Sequence, residues 1–276
     1  VIRASAFGSV KFDFGIDKSA GAHMQVLIRF EGMDKAKEML SELEKKQLPY
    51  ATALALTRTG QDVKADLEAE MKKVFDRPTP YTLGSLFLKP ATKSNLSSMV
   101  YLREWAGKGT PATKYMSPNI FAQDRNVKRF EAALQRIGVL PSNMYVVPGA
   151  GADLDAYGNM SRGQIVQILS YLSAFGEQGY RANMTAKGRA RLLRGKRGSP
   201  GIAYFVAKPG GRLRHGIYKR TGYSGGSTIT PVMIFVRKPT YRSIYRFYEV
   251  ARRTIERTWE ENFRRAMREA MSTAKP

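Results

Sequence analysis

The sequence predicts an α+β fold, an antiparallel sheet packed by two long helices, with an inserted helical and loop segment. Three observations carry that expectation. Strand-like and helix-like stretches come in blocks and do not alternate as β-α units. Short turn-rich links join the strand-like runs between Ile202 and Val236, as in an antiparallel meander. Two long stretches, Pro49–Phe75 and Arg242–Ser272, carry apolar residues at helical spacing. At 276 residues the chain has room for one large domain or two small ones.

The elements follow in order. Val10–Ile16 alternates apolar and polar residues, the period of a strand. Met24 is a candidate start, with 1–23 an upstream extension, although the alternating strand looks able to fold. Gln25–Phe30 is a second short strand. Gly32–Lys46 places Met33, Ala36, Met39, Leu40 and Leu43 on one helical face, and Leu48-Pro49 interrupts it. Pro49 then suits the first turn of the next helix. That helix carries a stripe of Leu56, Gly60, Val63, Leu67, Met71 and Val74, and small residues (Ala51, Ala53, Ala55) in its first half. Its length is roughly 40 Å at 1.5 Å per residue.

Pro78 and Pro80 end this helix. Thr82–Leu88 and Ser97–Arg103 read as strands, and Ala106–Asn119, rich in Gly, Pro, Thr and Lys, as a loop. Arg125–Ile137 is helical, with Gly138 as its stop. Met144–Val147 is a short strand before the turn-rich Pro148–Asp153. Ser161–Phe175 is a helix with Ile165, Ile168, Leu169 and Leu172 at core spacing. Gly176–Pro200 has no apolar period and reads as an exposed arm or a loop ordered by a partner. Strands Ile202–Ala207, Arg214–Lys219 and Thr230–Val236 precede the terminal helix. The expected partition is 1–23, an extension with a strand; 24–140, the helix-strand part of the core; 141–200, an insertion with a basic arm; and 201–276, the meander and terminal helix completing the core.

Composition narrows the function. The chain has no cysteine, which removes disulfides, thiolate metal sites and Cys nucleophiles. Two histidines, His23 and His215, lack ligand spacing, and no G-x-S-x-G elbow is present. The expectation is no enzyme, no cofactor and no metal. No apolar run approaches the ~18–20 residues of a membrane span, and the first 30 residues lack a leader pattern. The net charge of +23 is lopsided: residues 181–276 hold 23 Lys+Arg against 5 Asp+Glu, a net of +18. Such asymmetry points to an anionic partner.

The acid-free run from Arg181 to Arg197 contains Arg181, Lys187, Arg189, Arg191, Arg194, Lys196 and Arg197. These are candidate contacts with DNA phosphates or with an acidic protein neighbour, weighed against a plain solvated loop. No aromatic residue interleaves them, so base stacking by this arm is not expected. The terminal segment sets Tyr241, Tyr245, Phe247, Tyr248, Trp259 and Phe263 among eight arginines. Aromatic and Arg enrichment is typical of interface cores, which makes Tyr245, Tyr248, Trp259 and Phe263 candidate subunit contacts. Packing on the chain's own sheet is the alternative.

Other constellations are weaker. Asp153-Leu-Asp155-Ala-Tyr157-Gly158 only faintly fits a calcium loop, because Tyr157 and Gln164 stand where carboxylate-type ligands belong. Ser161 and Gln164 have capping-box spacing instead. The carboxylate pairs Asp62/Asp66 and Glu256/Glu260 lie beside basic residues and read as helical ion pairs. Gly149-Ala-Gly151 lacks the rest of a nucleotide loop.

Parts of the chain resemble the prophage minor tail protein Z family and, more loosely, the tail-completion and neck proteins of long-tailed phages. The residues concerned are Ala51-Thr-Ala-Leu-Ala-Leu-Thr-Arg58, the meander Gly216-Ile-Tyr-Lys-Arg220 with Ile229-Thr-Pro-Val-Met-Ile-Phe235, and Tyr241 to Phe247 leading into Ala251-Arg-Arg-Thr. Pro141-Ser-Asn-Met-Tyr145 and Leu154 through Leu169 look like a segment of prophage proteins of this type. The resemblance covers about half to two-thirds of the chain (Pro49–Leu102 and Gly201–Met271) and transfers no site residue. It implies a bacteriophage virion structural protein of the tail or head-tail neck, forming an oligomeric ring for tail completion or head-tail joining. Expected partners are further copies of the chain, other tail or neck proteins and DNA in the lumen, with no membrane; the expected location is the virion, and the host cytoplasm during assembly. The alternative is a non-virion nucleic-acid-binding protein using the basic C-terminal third.

Overall fold

The computed structural model describes residues 2–4, 8–13, 24–31, 42–107, 109–176, 182–196, 199–223, 226–238 and 241–273. The fold is α+β. The chain forms two compact units, Val1–Gln123 with Tyr241–Pro276, and Asp124–Thr240.

The first unit holds an antiparallel sheet of five strands: β1 (Ile2–Ala4), β2 (Gly8–Asp13), β3 (Gln25–Glu31), β4 (Leu86–Lys89) and β5 (Ser97–Leu102), in the order β1-β2-β3-β5-β4. Strand alternation fixes which face is covered. Val26, Ile28 and Phe30 of β3 and Ser98, Val100 and Leu102 of β5 are buried. Helix α1 (Glu42–Val74) covers that face. Gly60 makes the approach close: a Cβ there would stand 2.6 Å from Ser98 Oγ and 2.7 Å from Leu88 Cδ1. The terminal helix, α7 (Phe247–Ser272), is preceded by the intervening helices named below and runs antiparallel to α1. Tyr245 Oη donates to Leu67 O at 3.2 Å near one end, and Arg58 Nη2 to Glu269 at 2.7 Å near the other.

Helix α1 corrects one expectation. The break at Leu48-Pro49 is absent, and Pro49 lies inside a continuous helix of 33 residues. Proline there removes one i→i−4 bond, while buried Leu48 and Ala51 keep the turn in the core. Of the helix expected over Gly32–Lys46, residues 32–41 lie outside the described residues, as do 14–16 of the first expected strand.

Between β3 and the second unit the remaining elements are α2 (Pro80–Leu83) and α3 (Ala112–Phe121). Helix α2 occupies the start of the strand expected from Thr82, capped by Thr79, whose Oγ1 accepts from Thr82 N. Helix α3 replaces most of an expected loop, because Ala112, Met116 and Ile120, four residues apart, are all buried. Asn119 O then accepts from the backbone N–H of both Ile244 and Tyr245, and Ser243 Oγ donates to Ile120 O. The two points where the chain leaves and re-enters the first unit are thus tied together.

The second unit contains α4 (Arg129–Arg136), β6 (Met144–Pro148), α5 (Arg162–Tyr171), α6 (Ala186–Arg194), β7 (Gly201–Ala207), β8 (Gly216–Tyr223) and β9 (Gly226–Arg237). Its antiparallel sheet has the order β6-β9-β8-β7. Leu134 of α4 and Ile168 and Leu169 of α5 close on Val146, Tyr204, Ile217, Met233 and Phe235. The expected partition therefore differs from the observed one. The meander 201–237 and the terminal helix belong to different units, because β9 pairs with β6 while α7 packs on α1 and Phe30. The inserted segment is 124–240, wider than 141–200.

Among the described residues no helix is long and apolar enough to cross a membrane.

Candidate polyanion-binding surface

Charge divides between the units unevenly. Residues 124–240 hold 19 Lys+Arg and 5 Asp+Glu, a net of +14, which leaves +9 for the other 159 residues. No Asp or Glu occurs from 178 to 248, a run that includes α6 and strands β7 to β9.

In the first unit most of the arginines on the helix pair are matched. On and between α1 and α7, Arg58 pairs with Glu269, Lys72 with Glu68, Arg253 with Glu249, Arg257 with Asp66 and Arg264 with Glu260. The arginine-rich terminal helix is therefore a largely neutralised surface, with five of its six arginines paired to carboxylates. In the second unit Asp124 pairs with Lys238, Asp155 closes a turn, and Glu131 is consumed in the core. Lys187, Arg191, Arg194, Lys196, Lys208, Arg212 and Arg214 have no carboxylate partner among the described residues.

The basic arm is a folded element, not a loop. Its leading segment docks on the end of α5: Ser170 Oγ donates to Ala182 O, Met184 N to Ser170 O, and Asn183 exchanges two hydrogen bonds with Phe175. Thr185 caps α6 by accepting from Gly188 N at 3.1 Å. Leu192 packs against the core of the unit. Gly195 ends the helix at φ +73°, where a Cβ would stand 2.5 Å from Ser199 O.

The helix sorts the predicted cations. Lys187, Arg191 and Arg194 fall at i, i+4 and i+7, one exposed stripe, and exposed Lys196 follows it. Arg189 lies on another side. It donates to Ser173 Oγ at 2.7 Å and its guanidinium stands 5.4 Å from the Tyr171 ring centroid, so it braces the helix. Arg181 and Arg197 lie outside the described residues. The sequence reading overlooked Lys208, Arg212 and Arg214, exposed on the β7–β8 connection; the acid-free run to 248 was the available signal.

The four residues expected at a subunit interface are placed otherwise. Tyr245 is 0% and Trp259 2% exposed, both in the core of the first unit. Phe263 stacks on Phe30 at 6.1 Å, and half-buried Tyr248 lies against Phe247 and Phe121. Burial beside Glu70 pushes the Tyr245 hydroxyl far up, so it stays a neutral donor. Exposed aromatics of this unit lie elsewhere: Trp105, at 72%, and Tyr81 flank the guanidinium of Arg103, and Tyr50 is a third.

The second unit hides one charge that pattern reading missed. Glu131 is fully buried and accepts from Arg125 through both oxygens (2.5 and 2.7 Å), from Lys128 N and from Val146 N. Burial alone would raise its pKa, but these donors outweigh it and hold the carboxyl below the usual range.

The remaining constellations are structural. Asp155 Oδ1 accepts from Tyr157 N and Asn159 N, a turn. Ser161 makes no side-chain cap bond, so the expected capping box does not form; Gln164 instead holds Asp153 N and Gly151 O. Asp62 and Asp66 are engaged across the helix pair by Asn262, Thr254 and Arg257. No group of three potential metal ligands occurs among the described residues. Comparison with known protein families, curated proteins and solved structures finds no match.

Proposed function

We propose that the chain is a structural protein of a bacteriophage virion, in the tail or the head-tail neck, that forms an oligomeric ring for tail completion or head-tail joining and has no catalytic role. The observation that carries this reading is the resemblance of Pro49–Leu102 and Gly201–Met271 to the minor tail protein Z group. These segments supply most of the α1–α7 helix pair and the meander. A ring needs two unlike contact faces on each copy. The surface around Trp105, Arg103 and Tyr81 has the aromatic and Arg composition of an interface core and takes that role in place of Tyr245 and Trp259. Expected neighbours are further copies, other tail or neck proteins and DNA in the lumen; the location is the virion, with assembly in the host cytoplasm.

Light scattering on the purified chain, alone and with tail or neck components, tests the proposal. Rings or component-dependent assembly are expected. A strict monomer at high concentration that also ignores those components contradicts it. The acid-free run from 178 to 248 favours one second reading, a nucleic-acid-binding protein outside any virion. DNA binding without any assembly would select it.

A further inference from the structure

We infer that the exposed face of α6 is a binding site for the phosphate backbone of double-stranded DNA, built from Lys187, Arg191 and Arg194 and extended by Lys196. This goes beyond the assembly reading, since it assigns a ligand to a defined surface and holds whether or not the chain forms a ring.

The stripe is costly to the free protein. Lys187 and Arg191 are like charges at i,i+4, and Arg191 and Arg194 at i,i+3, and each pair opposes the helix. Lys187 also lies in the first turn, where the helix dipole disfavours a cation. Nine residues are too few to form a stable helix alone. The element persists because Thr185 caps it, Leu192 enters the core and Arg189 bonds Ser173. Those contacts hold the three cations in a row, with no carboxylate partner among the described residues. An anion arriving at the stripe relieves the repulsion.

The anion's chemistry follows from what surrounds the stripe. Ala186, Gly188 and Ala190 are small, and the large apolar side chain exposed on this helix, Leu193 (52%), lies off the stripe, about 100° round the axis from Arg194. The stripe spans about 10 Å along the helix axis at 1.5 Å per residue, against one phosphate per ~3.4 Å of axis on each DNA strand. An acidic protein partner would normally bring an apolar centre to its interface, and the stripe itself contains no apolar side chain larger than alanine. No aromatic residue occurs in α6 to stack on a base. Contacts of this kind position the backbone without reading sequence.

The test uses the full chain and a 20-bp duplex of arbitrary sequence, with affinity measured by fluorescence anisotropy from 0.05 to 0.3 M salt. The wild type is expected to show a steep log-log salt slope. Lys187→Ala/Arg191→Ala/Arg194→Ala should lower its magnitude by about 3, with a loss on the order of a hundredfold at 0.1 M salt, equal for unrelated sequences. Arg253→Ala/Arg264→Ala, in the paired surface of α7, should bind like wild type. Four results would overturn the inference: a wild-type slope below about 2; an unchanged slope in the α6 variant; an equal loss in the α7 variant; or tighter binding of polyglutamate than of the duplex at matched charge. The wild-type slope and the polyglutamate comparison decide the matter even if the triple variant fails to fold. Neither depends on ring formation, so failure here and failure of the assembly reading are separate results.

Discussion

The two units solve the problem of carrying many cations in opposite ways. The first interleaves them with carboxylates, so that α7, with arginine at six of its positions, is laced by Glu249, Glu260, Glu261 and Glu269 and tied to Asp66 of α1. The second spends its one buried carboxylate among the described residues, Glu131, on a structural arginine and leaves Lys187, Arg191 and Arg194 of α6 to solvent. Counting arginines along the chain therefore misleads. What matters is whether a cation has a partner, and that depends on which helix faces which.

The largest expected effect tests the first unit. Trp259→Ala should destabilise it by ~3–5 kcal/mol, the usual cost of emptying an aromatic core site. Thermal unfolding with hydrogen exchange resolved by segment checks this. If Trp259 were a contact between subunits, the variant would instead lose assembly at unchanged monomer stability.

Glu131→Ala is the counterpart in the second unit. It removes the carboxylate that Arg125 grips and unbinds Val146 N–H, so a loss of about 3 kcal/mol is expected there. Faster exchange should appear in α4 and β6 and not in α1. Equal loosening of both units would break the distinction between them.

Acid should separate the units next. The Glu131 carboxyl is depressed in the fold, so its stabilisation is fully present above the unfolded value near ~4.3 and disappears as pH falls through the folded value. Glu269 is also depressed, by Arg58 foremost, but it is solvent-exposed, and screening leaves it little weight. Acidification toward pH 3 should therefore loosen the second unit before the first, and Glu131→Gln should flatten that dependence. A first unit that melts earlier would contradict the assignment.

Smaller effects sharpen the contrast. Thr185→Ala removes the cap of α6 and should cost about 1 kcal/mol locally, read as faster exchange over 186–194. Arg253→Ala loses one exposed i,i+4 pair with Glu249 and should change stability by roughly 0.5 kcal/mol or less.

Periodicity made much of this fold legible. Alternation marks part of β2, short strand-like runs mark β3 and β5, and the turn-rich links mark β7 to β9. Periodicity does not say which layer an apolar face meets. The stripe through Phe247, Ile255 and Trp259 looks the same whether it covers its own sheet or a neighbour, and the structure uses it within the first unit. For the same reason sequence order groups the meander with the terminal helix, whereas the structure puts them in different units. Leu48-Pro49 misled in another way, since one lost backbone bond is tolerated where adjacent residues are buried.

The charged arm was legible in content and not in form. With Leu192 its only core contact and glycines at 188 and 195, α6 has too little apolar signal to declare a helix. Its order comes from Thr185, which caps the helix at Gly188 N, and from Asn183 and Arg189, whose partners Phe175 and Ser173 lie just after α5. The exclusion of Arg189 from the stripe and the engagement of Glu131 likewise depend on contacts between segments distant in sequence.

The most direct test of the central claim, that the unmatched charge of the second unit is the DNA-facing one, is hydrogen exchange of the full chain with and without a 20-bp duplex. Slower exchange over 182–196, with α1 and α7 unchanged, is the predicted result. Protection confined to the arginine-rich terminal helix, or no protection at saturating duplex, would contradict it.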